Sequence, residues 1–330
     1  MAWWESRRVL VTGAGGFIGS HLVERLVELG ARVRALVRYN SRNDWGLLEL
    51  LPEKLKKEIE VISGDITDPY GVERMVAGCE LVFHLAALVA IPYSYLAPAQ
   101  FVAVNITGTL NLLEAARRAG VERFVHTSTS ETYGSAQYTP IDERHPLQGQ
   151  SPYAASKIGA DKLVESYHRS FGLPVAIIRP FNTYGPRQSA RAIIPAIISQ
   201  GLKSDTIRLG LLTPVRDLTY VTDTVAGFIK IAEAPQAVGE VINIGSGKAV
   251  SIGDLAKRLI EIMGGGKEIL QEDVRFRPPD SEVMELLCDN RKARRLLGWE
   301  PQVSLDEGLS FTLRFIQSHP ERYKPDIFNI

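Results

Sequence analysis

Arg8-Val9-Leu10-Val11-Thr12-Gly13-Ala14-Gly15-Gly16-Phe17-Ile18-Gly19 reads as a short apolar strand, a glycine-rich turn and the opening of an amphipathic helix. Such a junction leaves backbone N–H groups free at the helix start, where an anion can sit. Gly13 allows the tight turn, Gly16 lets the backbone approach a pyrophosphate, and Gly19 permits close helix–strand contact. Glycine is common in turns for backbone reasons alone. Its place between an apolar strand and an amphipathic helix is what points to a dinucleotide site.

Outward from this turn, Arg32–Val37, Ile59–Ser63, Leu81–Leu85, Arg123–Thr127 and Val175–Arg179 read as further strands. Helical periodicity covers Phe17–Leu29, Tyr70–Ala77 and Ala99–Ala119, each followed by a glycine, and a longer helix starts near Pro152. Near-continuous apolar strands alternating with helices predict an α/β fold with a doubly wound parallel Rossmann sheet covered on both faces. After Pro180 the rhythm changes to loops and short strands, yet Val221–Ala234 and Val241–Ile244 read as a helix and strand that rejoin the main sheet. The expected division is a dinucleotide-binding domain over residues 1–180, with 221–246 returning to it. A smaller interleaved substrate-binding lobe is expected over 181–220 and 247–330.

NAD-binding sheets of this kind usually carry an acid at the end of the second strand, for the adenosine ribose hydroxyls. Here that place holds Val37, followed by Arg38, which can pair with a 2′-phosphate and favours NADP over NAD. The plainer reading of Arg38 is a solvated charge at a strand end. Asp65-Ile66, after the third strand, is placed to contact adenine, although Asp65 could instead cap a helix.

Tyr153-Ala154-Ala155-Ser156-Lys157 begins the long helix, with Tyr153 and Lys157 four residues apart and so on one face. A phenol titrating near 10 is a poor base at neutral pH, but a neighbouring ammonium and a positive nicotinamide ring both favour its phenolate. Thr127-Ser128-Thr129-Ser130-Glu131 closes the fifth strand, and ligands in such sheets sit at the carboxyl ends of strands. The set points to proton abstraction from a hydroxyl coupled to hydride transfer.

These stretches carry a resemblance that covers nearly the whole chain. Joined by Phe83–Ala87, Asn105–Thr109, Arg179-Pro180-Phe181-Asn182-Thr183-Tyr184-Gly185-Pro186-Arg187, Arg216-Asp217, Tyr220–Asp223 and Leu297–Pro301, they resemble the extended short-chain dehydrogenases/reductases of the nucleotide-sugar epimerase/dehydratase family. The resemblance implies a retained nicotinamide cofactor held by Gly13, Gly16, Phe17, Ile18, Gly19, Arg38, Asp65 and Ile66. Further cofactor contacts are implied for Leu85, Ala86, Ala87, Asn105, Thr127, Tyr153, Lys157 and Pro180. It implies catalysis by Tyr153, Lys157, Thr129, Ser130 and Glu131. Nucleotide-sugar contacts are implied for Asn182, Arg216 and Arg277, and Arg187 is a further candidate guanidinium for the diphosphate.

Three reactions stay open: 4,6-dehydration, 4-epimerisation, and decarboxylation of a linked uronic acid. Thr129-Ser130-Glu131 is similar to the Thr-Ser-Glu of GDP-mannose 4,6-dehydratases and of uronate decarboxylases. It departs at Ser130 from the Thr-Asp-Glu of dTDP-glucose 4,6-dehydratases. Tyr39–Gly46 and Gly185–Arg191 resemble dehydratases of the legionaminic-acid pathway, which implies a nucleotide-linked N-acetylglucosamine. Residue chemistry leans the same way, because dehydration needs a second group near C5 and C6, and Glu131 supplies one. A simple epimerase needs no such carboxylate. The leading expectation is a 4,6-dehydratase.

Lys plus Arg and Asp plus Glu number 38 each, so no basic field marks a nucleic-acid binder. Cys79 and Cys288 have no metal-like spacing, no metal is expected, and the pair suggests a reducing compartment. Residues 1–8 lack an apolar signal core and no run is long enough to span a bilayer, so a cytoplasmic protein without membrane partners is expected. The resemblance implies a homodimer through a four-helix interface. Ala99, Val102, Ala103, Ile106, Leu110, Leu113, Ala160 and Val164 suit such contact, or face the sheet.

Overall fold

The structure, a computed structural model, describes residues 3–325, so Met1, Ala2 and the last five residues of the expected lobe lie outside the described residues. The strands are β1 (Arg8–Thr12), β2 (Arg32–Arg38), β3 (Ile59–Gly64), β4 (Leu81–His84), β5 (Arg123–Thr127) and β6 (Val175–Pro180). They continue with β7 (Asn182–Tyr184), β8 (Thr206–Leu209), β9 (Val215–Tyr220), β10 (Val241–Ile244), β11 (Ala249–Ser251), β12 (Glu268–Gln271) and β13 (Glu285–Leu286). Seven of them form one sheet in the order β10-β6-β5-β4-β1-β2-β3, and every pairing in it is parallel.

Strand β1 shows why. Val9 and Val11 sit in one core cluster and Leu10 in the other, all three fully buried, so both faces of the sheet are covered. Helices α1 (Phe17–Glu28) and α5 (Val221–Glu233) cover one face. Helices α2 (Pro69–Val76), α3 (Gly108–Ala119) and α4 (Pro152–Phe171) cover the other. Strand order reverses between β4 and β1, and a crevice opens there at the carboxyl ends. A second sheet, β11-β9-β13 with β7 alongside β9, and the pair β12–β8 stand above that crevice.

The stretch Ala99–Ala119 is not one regular helix. A short helix, Pro98–Phe101, leads into a π-helical turn over Val102–Thr107 before α3. The wide turn carries Asn105 inward, where it bonds Leu88 N–H at 2.8 Å, Leu88 C=O at 3.0 Å and Ser156 Oγ at 2.9 Å. Strand β4 also stops one residue early, because the Leu85 N–H turns toward Thr12 Oγ1 at 3.1 Å. Of the positions suited to helix contact between copies, Leu113 and Val164 are buried on the sheet side and Ala160 is also buried, while Ala99, Val102 and Ala103 are exposed. Among the described residues no helix is long and apolar enough to cross a membrane.

Candidate active site

The crevice is a cleft of about 1310 Å³. Its floor is the glycine turn, where a side chain on Gly13 (φ +68°) would meet Ala86 N at 2.8 Å, and one on Gly19 would collide with the Gly13 carbonyl. Gly16 is the N-cap of α1 and offers no side-chain cap, so the first N–H groups of α1 open toward the cleft. The loop after β2 closes over this turn: Leu47 N–H donates to Gly15 O at 2.9 Å, and Asp44 accepts from Gly46 N–H at 2.6 Å. Arg38, Arg42 and Asp44 line the cleft beside it.

Thr12 organises the opposite wall. Its hydroxyl accepts from Leu85 N–H and Ala86 N–H, each at 3.1 Å, and bonds His84 Nδ1 at 2.9 Å. Through Thr12, His84 therefore orients the Leu85-Ala86-Ala87 wall. Thr127 Oγ1 faces the cleft, buried and without a hydrogen-bond partner. A glycine cradle, an uncapped helix start and an orphaned hydroxyl fit a dinucleotide on this side.

Tyr153 is held at the start of α4. Ser151 caps that helix by accepting from Ala154 N–H at 3.1 Å, and Pro152 fixes the first helical position. The phenol lines the cleft and packs edge-on against Phe101. Burial pushes its titration above the ordinary range, the side chain of Thr129 bonded to it pulls back, and the charges of Glu131 and Asp161 push it further up. The protein alone therefore keeps Tyr153 protonated. Lys157, one turn on, is buried, and burial lowers its titration to about 8 against an opposing pull from Asp161.

Glu131 stands on a 3₁₀ turn, Ser130–Tyr133, capped by Thr129 Oγ1, which accepts from Glu131 N–H at 3.3 Å. The turn is pinned by Tyr133, whose hydroxyl donates to Asn243 Oδ1 and accepts from Arg179 Nη1, both at 2.8 Å. Thr129, Ser130, Glu131 and Tyr153 all line the cleft. No hydrogen bond to the Glu131 carboxylate is found among the described residues, so it stands free toward the cavity.

At the far end, Asn182 lines the wall with its buried amide oxygen unpartnered. Arg216 is buried on β9, 3.1 Å from Glu282, which also stands 3.6 Å from Arg277. Asp217 fixes Arg216 in place by accepting from Ser246 N–H, Gly247 N–H and Cys288 N–H at 2.7, 2.8 and 3.1 Å.

Three of the anticipated residues do not line the cleft. Asn105 acts on the Leu88 backbone behind the wall, and Lys157 lies beneath Tyr153. Arg187 is turned away onto Glu24 of α1 at 2.7 Å, its φ at +69°. Asp65 accepts from Thr67 N–H and Oγ1, whereas the cap of α2 is Asp68. Sequence reasoning gave no site role to Arg42, Tyr95, Gln188, Arg191, Arg208 and Glu282 on the wall. Tyr95 lies on the short helix Ile91–Leu96 and the others in loops or lobe strands, with no spacing to mark them.

With this geometry in place, comparison with known proteins is informative. The family model described as GDP-mannose 4,6 dehydratase matches residues 10–312. The chain belongs to this family. Within it, the chain is 35% identical to the UDP-glucose 4-epimerase of Mycolicibacterium smegmatis, covering 94% of this chain and 99% of that protein. It is 34% identical to the dTDP-glucose 4,6-dehydratase of Streptomyces antibioticus, covering 96% and 94%. The solved dTDP-glucose 4,6-dehydratase DesIV of Streptomyces venezuelae, with NAD bound, superposes with a TM-score of 0.84 at 32% identity, covering 96% and 99%. Family membership and the Rossmann-like α/β sheet thus agree with the sequence reading, and the relatives are nucleotide-sugar dehydratases and epimerases, of which DesIV is solved with NAD.

Proposed function

We propose that this chain is a nucleotide-sugar 4,6-dehydratase that converts its substrate to the 4-keto-6-deoxy sugar with loss of one water. The observation that carries the reading is the free Glu131 carboxylate on the same cleft wall as Tyr153. Tyr153 takes the 4-hydroxyl proton as C4 becomes a ketone. When bound, a nicotinamide ring supplies the acceptor for the C4 hydride and its return to C6. The ketone acidifies the C5 proton, and Glu131 removes it and passes a proton to the departing C6 hydroxyl, which leaves as water, with Thr129 and Ser130 at hand for hydrogen bonds to that oxygen. C5 then takes one proton from solvent as Tyr153 releases the 4-hydroxyl proton to solvent, so protons balance, and the return to C6 of the hydride lost from C4 makes the sequence redox-neutral.

The cofactor would lie along Gly13–Gly19, Asp65-Ile66, Leu85–Ala87 and Thr127, with Lys157 under Tyr153. Asn182, Arg216 and Arg277 would hold the nucleotide diphosphate. That division of labour supports residues 181–220 and 247–330 as the nucleotide-sugar lobe and 1–180 with 221–246 as the dinucleotide domain. The decisive test is incubation with UDP-, GDP- and dTDP-hexoses and UDP-N-acetylglucosamine, each deuterated at C4. A 4-keto-6-deoxy product with deuterium at C6 is expected. Label retained at C4 in a 4-epimer would replace the dehydratase with the epimerase reading.

Finer features are part of the same proposal. NADP is preferred over NAD on this chain's own residues, since β2 ends in Val37-Arg38 and Arg42 joins Arg38 on the wall. The NAD-bound neighbour lends that preference no support. Two copies pair through α4 and the helical stretch that leads into α3, supported by exposed Ala99, Val102 and Ala103 on that stretch, and light scattering at micromolar concentration should give twice the chain mass. A monomer there refutes the pairing. Two free buried thiols suit a reducing cytoplasm.

A further inference from the structure

Beneath Tyr153 lies a fully buried polar set that the reaction above does not use. Asp161, one turn beyond Lys157 on α4, is 0% exposed. Its Oδ2 accepts from Ser128 Oγ at 2.6 Å and from Arg179 Nη2 at 2.7 Å. Its Oδ1 is 3.2 Å from His126 Nε2 but makes no hydrogen bond, and neither does either nitrogen of His126. A buried acceptor left unpaired costs about 1–3 kcal/mol. Arg179 and Ser128 need only the other oxygen, so anchoring them does not account for this one.

We propose that Asp161 is a positioning residue whose carboxylate is the counter-charge that keeps Lys157 an ammonium inside the fold. The inference rests on the Tyr153–Lys157 reading of the site and deepens it. The groups facing Lys157 are Tyr153 and Asp161 on its own helix, His84 on β4 and His126 on β5, with Arg179 on β6 behind Asp161. Burial, helped by the charge of Lys157, holds His126 down at about 4, and burial holds His84 well below its ordinary value. Both rings are therefore neutral at working pH and add neither a repelling nor a compensating charge beside Lys157. Arg179 keeps Asp161 ionised, overcoming burial. Asp161 is thus the negative charge that offsets burial at Lys157. Without it, a buried ammonium faces two neutral imidazoles with a guanidinium nearby, and the proton leaves at lower pH.

The test titrates the Lys157 side chain by NMR in protein labelled at lysine with ¹⁵N and ¹³C, the signal identified by its loss in Lys157→Arg. Asp161→Asn keeps the size and should lower the midpoint from about 8 by about one pH unit or more, a tenfold change in proton affinity. Ser128→Ala removes a bond to Asp161 but no charge and should leave the midpoint in place. Should Asp161→Asn fold poorly because Arg179 is stranded, Asp161→Asn with Arg179→Met removes both charges and should show a fall in the same direction, smaller because a repelling guanidinium has gone as well. The alkaline limb of the kcat profile, on whichever sugar turns over, should move with the midpoint while KM changes little. A midpoint unmoved in Asp161→Asn, or in the double variant where the single one does not fold, overturns the proposal, even if rates fall. Tyr153→Phe that still turns over would instead sink the underlying site reading, and a Lys157 shift would remain interpretable beside it.

Discussion

Replacing Glu131 by Gln separates the two halves of the proposed reaction. The side chain keeps its size and can still hydrogen-bond, but it cannot accept a proton at neutral pH. Its carboxylate makes no hydrogen bond among the described residues and its turn is held by Thr129 and Tyr133, so stability should change by no more than about 0.5 kcal/mol. The charge of Glu131 also raises the titration of Tyr153, so its removal leaves the phenol no worse a base. The first step should therefore proceed and the second should stall. A general acid–base group contributes about 10²–10⁴-fold, equivalent to about 2.7–5.5 kcal/mol of barrier. Stopped-flow absorbance should show reduced nicotinamide building up to near the enzyme concentration, while mass spectrometry finds product formation down at least a hundredfold. Wild-type turnover of 6-deoxy product by Glu131→Gln refutes the assignment. A variant that never reduces cofactor refutes the division into two steps.

Other consequences are more local. Turnover and cofactor affinity should both decline as pH rises through about 8, the titration of Lys157, because a buried lysine with a lowered value is charged below it and neutral above it; a flat profile to pH 10 would remove Lys157 from the mechanism. Arg38→Ala should narrow the gap between NADP and NAD dissociation constants measured by calorimetry, and a wild type that binds NAD more tightly defeats the Arg38 argument. Arg187→Ala should lower stability by about 2–3 kcal/mol in denaturant melts, less than the ~3–5 of a fully buried pair because the Glu24 side chain is 24% exposed. It should leave the KM for nucleotide-sugar unchanged, and a tenfold rise in KM would restore Arg187 to the diphosphate site.

What the sequence made legible was local in the chain. Apolar alternation and the glycine turn placed β1 and α1 within a residue, since both depend on neighbours a few positions apart. The Tyr153–Lys157 pair was readable for the same reason, its spacing being that of one helical turn. Arg187 shows where this stops: a guanidinium near a glycine-proline turn suits phosphate, but whether it meets phosphate depends on Glu24, on a helix packed against it from the other end of the chain. Nor does any pattern announce that Ala99–Ala119 breaks into a π turn, because the cause is the bonding of Asn105 to Leu88 and Ser156. Asp161 is the sharpest case. In sequence it is one more acid on a helix, indistinguishable from the half-buried Glu165 that follows and pairs with Lys162. Only when β5 and β6 bring His126, Ser128 and Arg179 against it does it become a buried charge beside the catalytic lysine. Residues that touch substrate sit at strand ends and can be found by position, whereas residues that set their charge sit behind them and emerge only from packing.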